Sequence, residues 1–367
     1  MDGARAGLAA RQAVSRLLEP GPVIIACSGG SDSLALARAV GFEARRAGAV
    51  PTAIIVDHGI LPDSAARARW ARDQLDGVMA AEIMRVDAVG PGGPEGAARQ
   101  ARYGALAAAA RARNNAPVFL GHTADDQAET VLLGLGRGSG ARSVAGMRER
   151  AALPTDSELT CIRPLLHLSR TDLRAALKYW DQDWLEDPGN RADGPWRTAS
   201  GEALVRAAIR EEALPALSRA LGKDARWPLV RTAELLADDE ELLSQLAGEL
   251  YERARTFEET SGTWALQVAE LRGVHRALRR RVVRLWLLAA GARPGQLTSR
   301  HIHAVDDLLT AGRGSGVDLP GLRASRTPLF IVRAWDNMAE HDNRKDCGGR
   351  ERYGDGSGSS AVKRRGD

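Results

Sequence analysis

Apolar runs too short to be helices alternate with helical periodicity through the first half of the chain. Val23-Ile24-Ile25-Ala26-Cys27, Ala53-Ile54-Ile55-Val56 and Pro117-Val118-Phe119-Leu120 read as buried strands, and residues 82–86 as a further one. Helices are expected from Leu34 onward, over 64–74, over an Ala-rich stretch from Glu95 to about Arg113, and from about Ala124 to Leu135. Gly90-Pro91-Gly92-Gly93-Pro94 breaks the chain before the third of these. Strands separated by helices predict an α/β fold, a mostly parallel sheet with helices on both faces. From about Glu202 the pattern turns helical. Leu235, Leu236, Leu242, Leu243, Leu246 and Leu250 recur near helical spacing, as do Leu271, Val274, Leu278, Val282 and Leu285. A smaller helical domain is therefore expected to follow, with a small β element at 317–321 and 328–332. Aliphatics nearly vanish after Ala334, which predicts a disordered tail. The expected organisation is a first domain over 1–200, a helical linker over 201–227, a helical domain over 228–335 and the tail over 336–367.

Composition narrows the class without naming a function. The chain has 367 residues, 44% hydrophobic and 27% charged, the balance of a soluble globular protein large enough for two cores. No apolar run is long enough to span a bilayer, and residues 1–20 carry charges throughout, with no signal-peptide core. A cytoplasmic protein with no membrane partner is expected. Cys27, Cys161 and Cys347 are far apart and form no Cys-x-x-Cys, which argues against a disulfide framework, a zinc knuckle or an iron–sulfur site. A net charge of +4 permits a nucleic-acid partner if the basic residues are concentrated locally.

Three polar clusters follow the expected strands, where ligands bind in such sheets. Ser28, Gly29, Gly30, Ser31, Asp32 and Ser33 form a glycine turn leading into a helix. Such a turn presents backbone N–H groups to anions, its hydroxyls can donate to phosphate, and Asp32 can hold Mg²⁺. The turn has no lysine and is not a Walker A element. Asp57 and His58 end the second strand, either as an Asx turn or facing a nucleotide. His122, Asp125, Asp126 and Glu129 lie around a helix start with Thr123 as N-cap, and a Mg²⁺ or substrate role fits them better than zinc. Gly134-Leu135-Gly136-Arg137-Gly138-Ser139-Gly140 follows a helix, so it is no dinucleotide fingerprint; a basic loop near substrate fits better. Arg99 and Arg102 lie either on a solvated helix face or in reach of phosphate. Arg276, Arg280 and Arg284 form a stripe, again a solvated face or an RNA contact. His301-Ile302-His303 opens a helix and is assigned no metal.

In their order along the chain these residues resemble the ATP-pyrophosphatase (PP-loop) family, and within it the tRNA(Ile)-lysidine synthetases. Ser28 to Ser33 fit the family's Ser-Gly-Gly-x-Asp-Ser loop, and Val56-Asp57-His58-Gly59-Ile60 its Val-Asp-His-Gly-Leu segment. Glu95, Ala98, Arg99, Arg102 and Tyr103 fit a Glu-x-x-Ala-Arg-x-x-Arg-Tyr helix. Residues 121–130 fit Gly-His-x-Ala-Asp-Asp-Gln-Ala-Glu-Thr, and 137–140 fit Arg-Gly-Ser-Gly. Arg163-Pro164-Leu165-Leu166 and Asp187-Pro188-x-Asn190 also match. One departure stands out. The family's Arg-Asn-x-Ile/Val-Arg appears here, after an apparent insertion, as Arg206-Ala207-Ala208-Ile209-Arg210.

The resemblance implies an adenine nucleotide α-hydrolase-like fold and a ligase that forms a carbon–nitrogen bond. Its implied substrates are ATP with Mg²⁺, free L-lysine and tRNA(Ile) with a CAU anticodon. ATP would adenylate the C2 oxygen of the wobble cytidine with loss of pyrophosphate, and lysine would then displace AMP to give lysidine. By the same resemblance Asp32, Asp125 and Asp126 are the catalytic candidates, with Asp32 the metal ligand. Residues 28–33, Asp57 and His58 would bind ATP. Arg99, Arg102, His122, Glu129, Arg137, Arg276, Arg280 and Arg284 would face substrate or tRNA. A homodimer is compatible with this reading. The alternatives are a PP-loop tRNA thiolase, disfavoured by the lack of paired cysteines, and a non-catalytic tRNA-binding paralogue.

Overall fold

The computed structural model describes residues 1–59, 62–87, 93–138, 140–186, 205–259, 262–310, 314–328 and 330–334. The expected Gly/Pro break at 90–92, the matches at Ile60, Ser139 and 187–190, the insertion before 205 and the tail over 336–367 lie outside these residues. The chain divides into two compact units, Met1–Glu241 and Leu242–Asp367.

The first unit runs α1 (Gly3–Ser15), β1 (Gly21–Ala26), α2 (Ser31–Ala47), β2 (Ala49–Asp57), α3 (Ser64–Asp73), β3 (Ala80–Arg85), α4 (Gly93–Arg111), β4 (Val118–Phe119) and α5 (Ala124–Gly136). It continues with α6 (Ala141–Val144), β5 (Arg150–Leu153), β6 (Asp156–Ile162) and α7 (Arg170–Tyr179). After 204 come α8 (Val205–Ala208), a π-helical turn (Ile209–Ala213), α9 (Leu214–Leu221) and α10 (Arg226–Ala254), in which the division between the units falls.

The sheet has the order β3-β2-β1-β4-β6-β5 and is parallel except for β5. Alternate side chains of its strands feed two cores. Val23, Ile25, Ile55 and Phe119 pack with Leu34, Ala71 and Leu173 on one face. Ile24, Ile54 and Val118 pack with Tyr103 and Leu106 of α4 on the other. Burial on both faces is why these strands are continuous apolar runs with no polar alternation.

The strand order reverses at β1, with β2 and β3 to one side and β4 and β6 to the other. The loops after β1 and β4 therefore leave neighbouring strands at the switch point where α/β sheets bind ligands. Their contact is close enough to require glycine: a Cβ on Gly121 would lie 2.8 Å from the Asp32 carbonyl oxygen.

The second unit corrects the expectation of a helical domain. Its strands β7 (Arg255–Glu258), β8 (Thr263–Gln267), β9 (Gly316–Leu319), β10 (Leu322–Arg326) and β11 (Phe330–Ala334) form an antiparallel sheet of order β7-β8-β11-β10-β9. With them are α11 (Val268–Leu271), α12 (Arg276–Ala289) and α13 (Ser299–Asp307). The element expected at 317–332 is thus part of a larger sheet, and Ile331 and Leu266 join Trp286, Val282 and Leu250 in one core. β7 and β8 bury little beyond Ala265 and Leu266, so the strong helical periodicity around them dominates the pattern.

Candidate nucleotide and amine site

The loop after β1 is shaped by its own atoms. Gly29 takes φ +82°, a conformation that favours glycine. Ser33 Oγ accepts from the Ser28 N–H at 3.2 Å and donates to the Gly30 carbonyl at 3.0 Å, so Ser33 braces the turn. Gly30 caps α2 without a side-chain hydrogen bond, which leaves the first N–H groups of the helix to meet an anion. Asp32 follows in the first turn, with Oδ1 accepting from Ser31 Oγ at 2.9 Å and Oδ2 from Arg170 Nε at 2.8 Å. Burial pushes its carboxyl up, against the pull of Arg170.

The loop after β4 places the second set of acids. Thr123 and Asp126 form a capping box: the Thr123 N–H and Oγ1 both donate to Asp126 Oδ2 at 2.9 Å. Asp126 Oδ1 lies outside the box and faces Arg170 Nη2 at 3.2 Å and Arg210 Nη2 at 4.0 Å. Burial alone would raise this carboxyl, but the charge of Arg170 and the Thr123 hydrogen bonds hold it below its ordinary value. Asp125 is committed on both oxygens, to the Arg170 N–H at 2.8 Å and to Arg226 Nη1 at 2.8 Å. Glu129, fully buried, takes a two-point pair from Arg210 at 2.7 and 3.1 Å, with Arg206 at 3.7 Å. Burial pushes its carboxyl up and Arg210 pulls it back.

His122 accepts at Nδ1 from Arg163 Nε at 3.1 Å, which places its proton on Nε2. Burial lowers its pKa to about 3, so the ring is neutral. Asp57 is an Asx turn, accepting from the Gly59 N–H at 3.0 Å, and the His58 Nδ1 is buried with no hydrogen-bond partner among the described residues. Arg99 and Arg102 lie over the buried Tyr103 ring, 5.0 and 5.4 Å from its centroid. Arg137 is exposed at the far end of α5, about 16 Å along the helix from Asp126 at 1.5 Å per residue. In the second unit Arg276 is exposed, while Arg279 and Arg280 share Asp306, which is buried. Arg284 is half-buried on the same helix.

The sequence reading assigned no role to Arg170, Arg210 or Arg226, which provide the cations of this site. Ser169-x-x-Asp172 before an apolar run signals the start of α7, and the Ser169 side chain does accept from the Asp172 N–H. That signal places Arg170 on a helix N-terminus but says nothing of the acids it meets.

Among the described residues no cluster of three or more His, Cys, Asp or Glu could hold a metal alone. A single carboxylate beside a phosphate cradle is instead the donor set that Mg²⁺ takes with nucleotides, and Asp32 fits it.

A glycine turn that cradles anions at the switch point of a parallel sheet, carrying one carboxylate into the helix, defines a PP-loop nucleotide-binding domain, and residues 9–217 match the PP-loop domain family. Residues 266–330 match the TilS substrate binding domain. The chain is 44% identical to a tRNA(Ile)-lysidine synthase of Salinispora tropica, over 85% of this chain and 90% of that one. It is 46% identical to the corresponding Mycolicibacterium paratuberculosis protein, over 84% and 87%. The chain belongs to the tRNA(Ile)-lysidine synthase family. A U34-tRNA thiolase from Methanococcus maripaludis shares the fold, with a TM-score of 0.52 at 17% identity over 64% of this chain and 79% of that one.

Proposed function

We propose that the chain ligates free lysine to C2 of the wobble cytidine in a tRNA(Ile) with a CAU anticodon, using ATP. The C2 oxygen of cytosine is a poor leaving group. It attacks the α-phosphorus of ATP and expels pyrophosphate; the ε-amine of lysine then attacks C2, and AMP departs with that oxygen. The observation that best supports this reading is the placement of the anion cradle and Asp32 beside a second carboxylate, Asp126, across the switch point.

The free N–H groups of α2 would bind the departing pyrophosphate, and Asp32 would hold Mg²⁺, which offsets phosphate charge when bound. Asp126 Oδ1 is the carboxylate oxygen suited to the lysine amine, because Asp125 is committed twice. It would position the amine and take its proton, since an ammonium cannot attack. His122, neutral and with its proton on Nε2, acts as a hydrogen-bond donor. Asp57 and His58 would face the AMP moiety, and Arg99, Arg102 and Arg137 phosphate or RNA. Glu129 holds Arg210 and Arg206 against the site. Arg276, Arg280 and Arg284 would meet the tRNA backbone.

Incubation with ATP, labelled lysine and tRNA(Ile) bearing a CAU anticodon should place the label in the tRNA. Asp32→Ala should abolish ATP–pyrophosphate exchange. Unlabelled tRNA, or normal exchange in the variant, refutes the assignment.

A further inference from the structure

Among the described residues Arg170 is the side chain that hydrogen-bonds to both halves of the site, and the chemistry above leaves its position unexplained. Its backbone is pinned by Asp125, and its side chain spans two carboxylates unequally. Nε meets Asp32 Oδ2 at 2.8 Å, whereas Nη2 meets Asp126 Oδ1 at 3.2 Å. Nη1 makes no hydrogen bond among the described residues. The other oxygen of Asp126 already accepts twice from Thr123. The Asp126 oxygen with capacity for an ammonium is therefore the one that a guanidinium occupies.

A polyphosphate in the cradle changes this balance. It brings several negative charges beside Asp32, within reach of a planar fork suited to phosphate oxygens. The longer bond, to Asp126, is the one Arg170 gives up first. An ammonium arriving before the phosphates meets a neutralised carboxylate; one arriving after them meets an oxygen that its nearer guanidinium has left, with Arg210 Nη2 farther off at 4.0 Å.

We propose that Arg170 couples the two subsites: across an empty phosphate loop it screens Asp126 from the amine, and a polyphosphate bound there draws it away and opens Asp126 to lysine. This rests on the reading of Asp126 as the amine carboxylate. Coupling of this kind is reciprocal, so lysine tightens nucleotide binding by the same factor.

Equilibrium dialysis of labelled L-lysine against the full chain, with and without α,β-methylene-ATP and Mg²⁺, tests it. The wild type should bind lysine at least about tenfold more tightly with the analogue present. Arg170→Met should bind equally with and without it, near the tighter wild-type value. Arg170→Lys, a point charge without the fork, should retain part of the ratio. Equal wild-type affinities overturn the proposal without recourse to any variant, as does an Arg170→Met protein that keeps the full ratio. An Asp126→Asn protein with unaltered lysine affinity in the presence of analogue overturns the reading of Asp126 itself.

Discussion

Replacing Arg210 by Met removes the main partner of a fully buried carboxylate. Breaking a buried pair in this way costs about 3–5 kcal/mol, and Arg206, 3.7 Å away and half-exposed, offers only partial relief. The carboxylate has one escape, which is to fold protonated. From an unfolded pKa of about 4.3, protonation at pH 7 costs at most about 3.7 kcal/mol, at 1.36 kcal/mol per unit. At pH 5.5 the same ceiling is about 1.6 kcal/mol. The defect should therefore be about 3–4 kcal/mol at pH 7 and shrink by up to about 2 kcal/mol on acidification. Urea melts of a chain with two compact units need not be two-state, so the opening free energy of α5 is better read by native-state hydrogen exchange. A variant within about 1 kcal/mol of wild type at pH 7, or one whose defect is the same at both pH values, refutes the reasoning.

Gly121→Ala drives a Cβ into the backbone at Asp32, so nucleotide affinity should fall at least about tenfold while the thermal midpoint drops only modestly; unchanged nucleotide binding in a titration would remove the close-approach argument. In the second unit, burial would raise the Asp306 carboxyl, but the hydrogen bonds of Arg279 and Arg280 outweigh it and hold the group low. Its contribution is complete above the unfolded value near about 3.9 and is lost as pH falls through the lower folded value. Acid should thus loosen α13 from α12, and Asp306→Ala, costing about 2 kcal/mol, should weaken that acid dependence in hydrogen exchange of the two helices.

The parallel sheet was legible because both its faces are covered, which leaves Val23 to Cys27 and Ala53 to Val56 as unbroken apolar runs. The positions of the loops were legible too, since a glycine turn or an N-cap is written in adjacent residues. Pairing across the chain was not: Arg170 and Asp32 stand 138 residues apart, and nothing local marks one as the other's partner. The β7–β8 hairpin was hidden for another reason. Arg255 follows the last residue of α10 directly, and Phe257 and Trp264, the aromatics that would announce strands, are themselves exposed.

Four carboxylates of the site are matched by arginine: Asp32 and Asp126 by Arg170, Asp125 by Arg226 and Glu129 by Arg210. The chain has four lysines, and the two among the described residues, Lys178 and Lys223, pair with none of these acids. A guanidinium stays protonated at any working pH and has no lone pair to donate, whereas a lysine beside an acid keeps a reserve of free amine. A protein amine here would be chemically the same nucleophile as the substrate and could capture the activated cytidine, cross-linking enzyme to RNA. Countering the acids with arginine would protect such an intermediate from the side chains beside it and leave the amine to be brought in from solution.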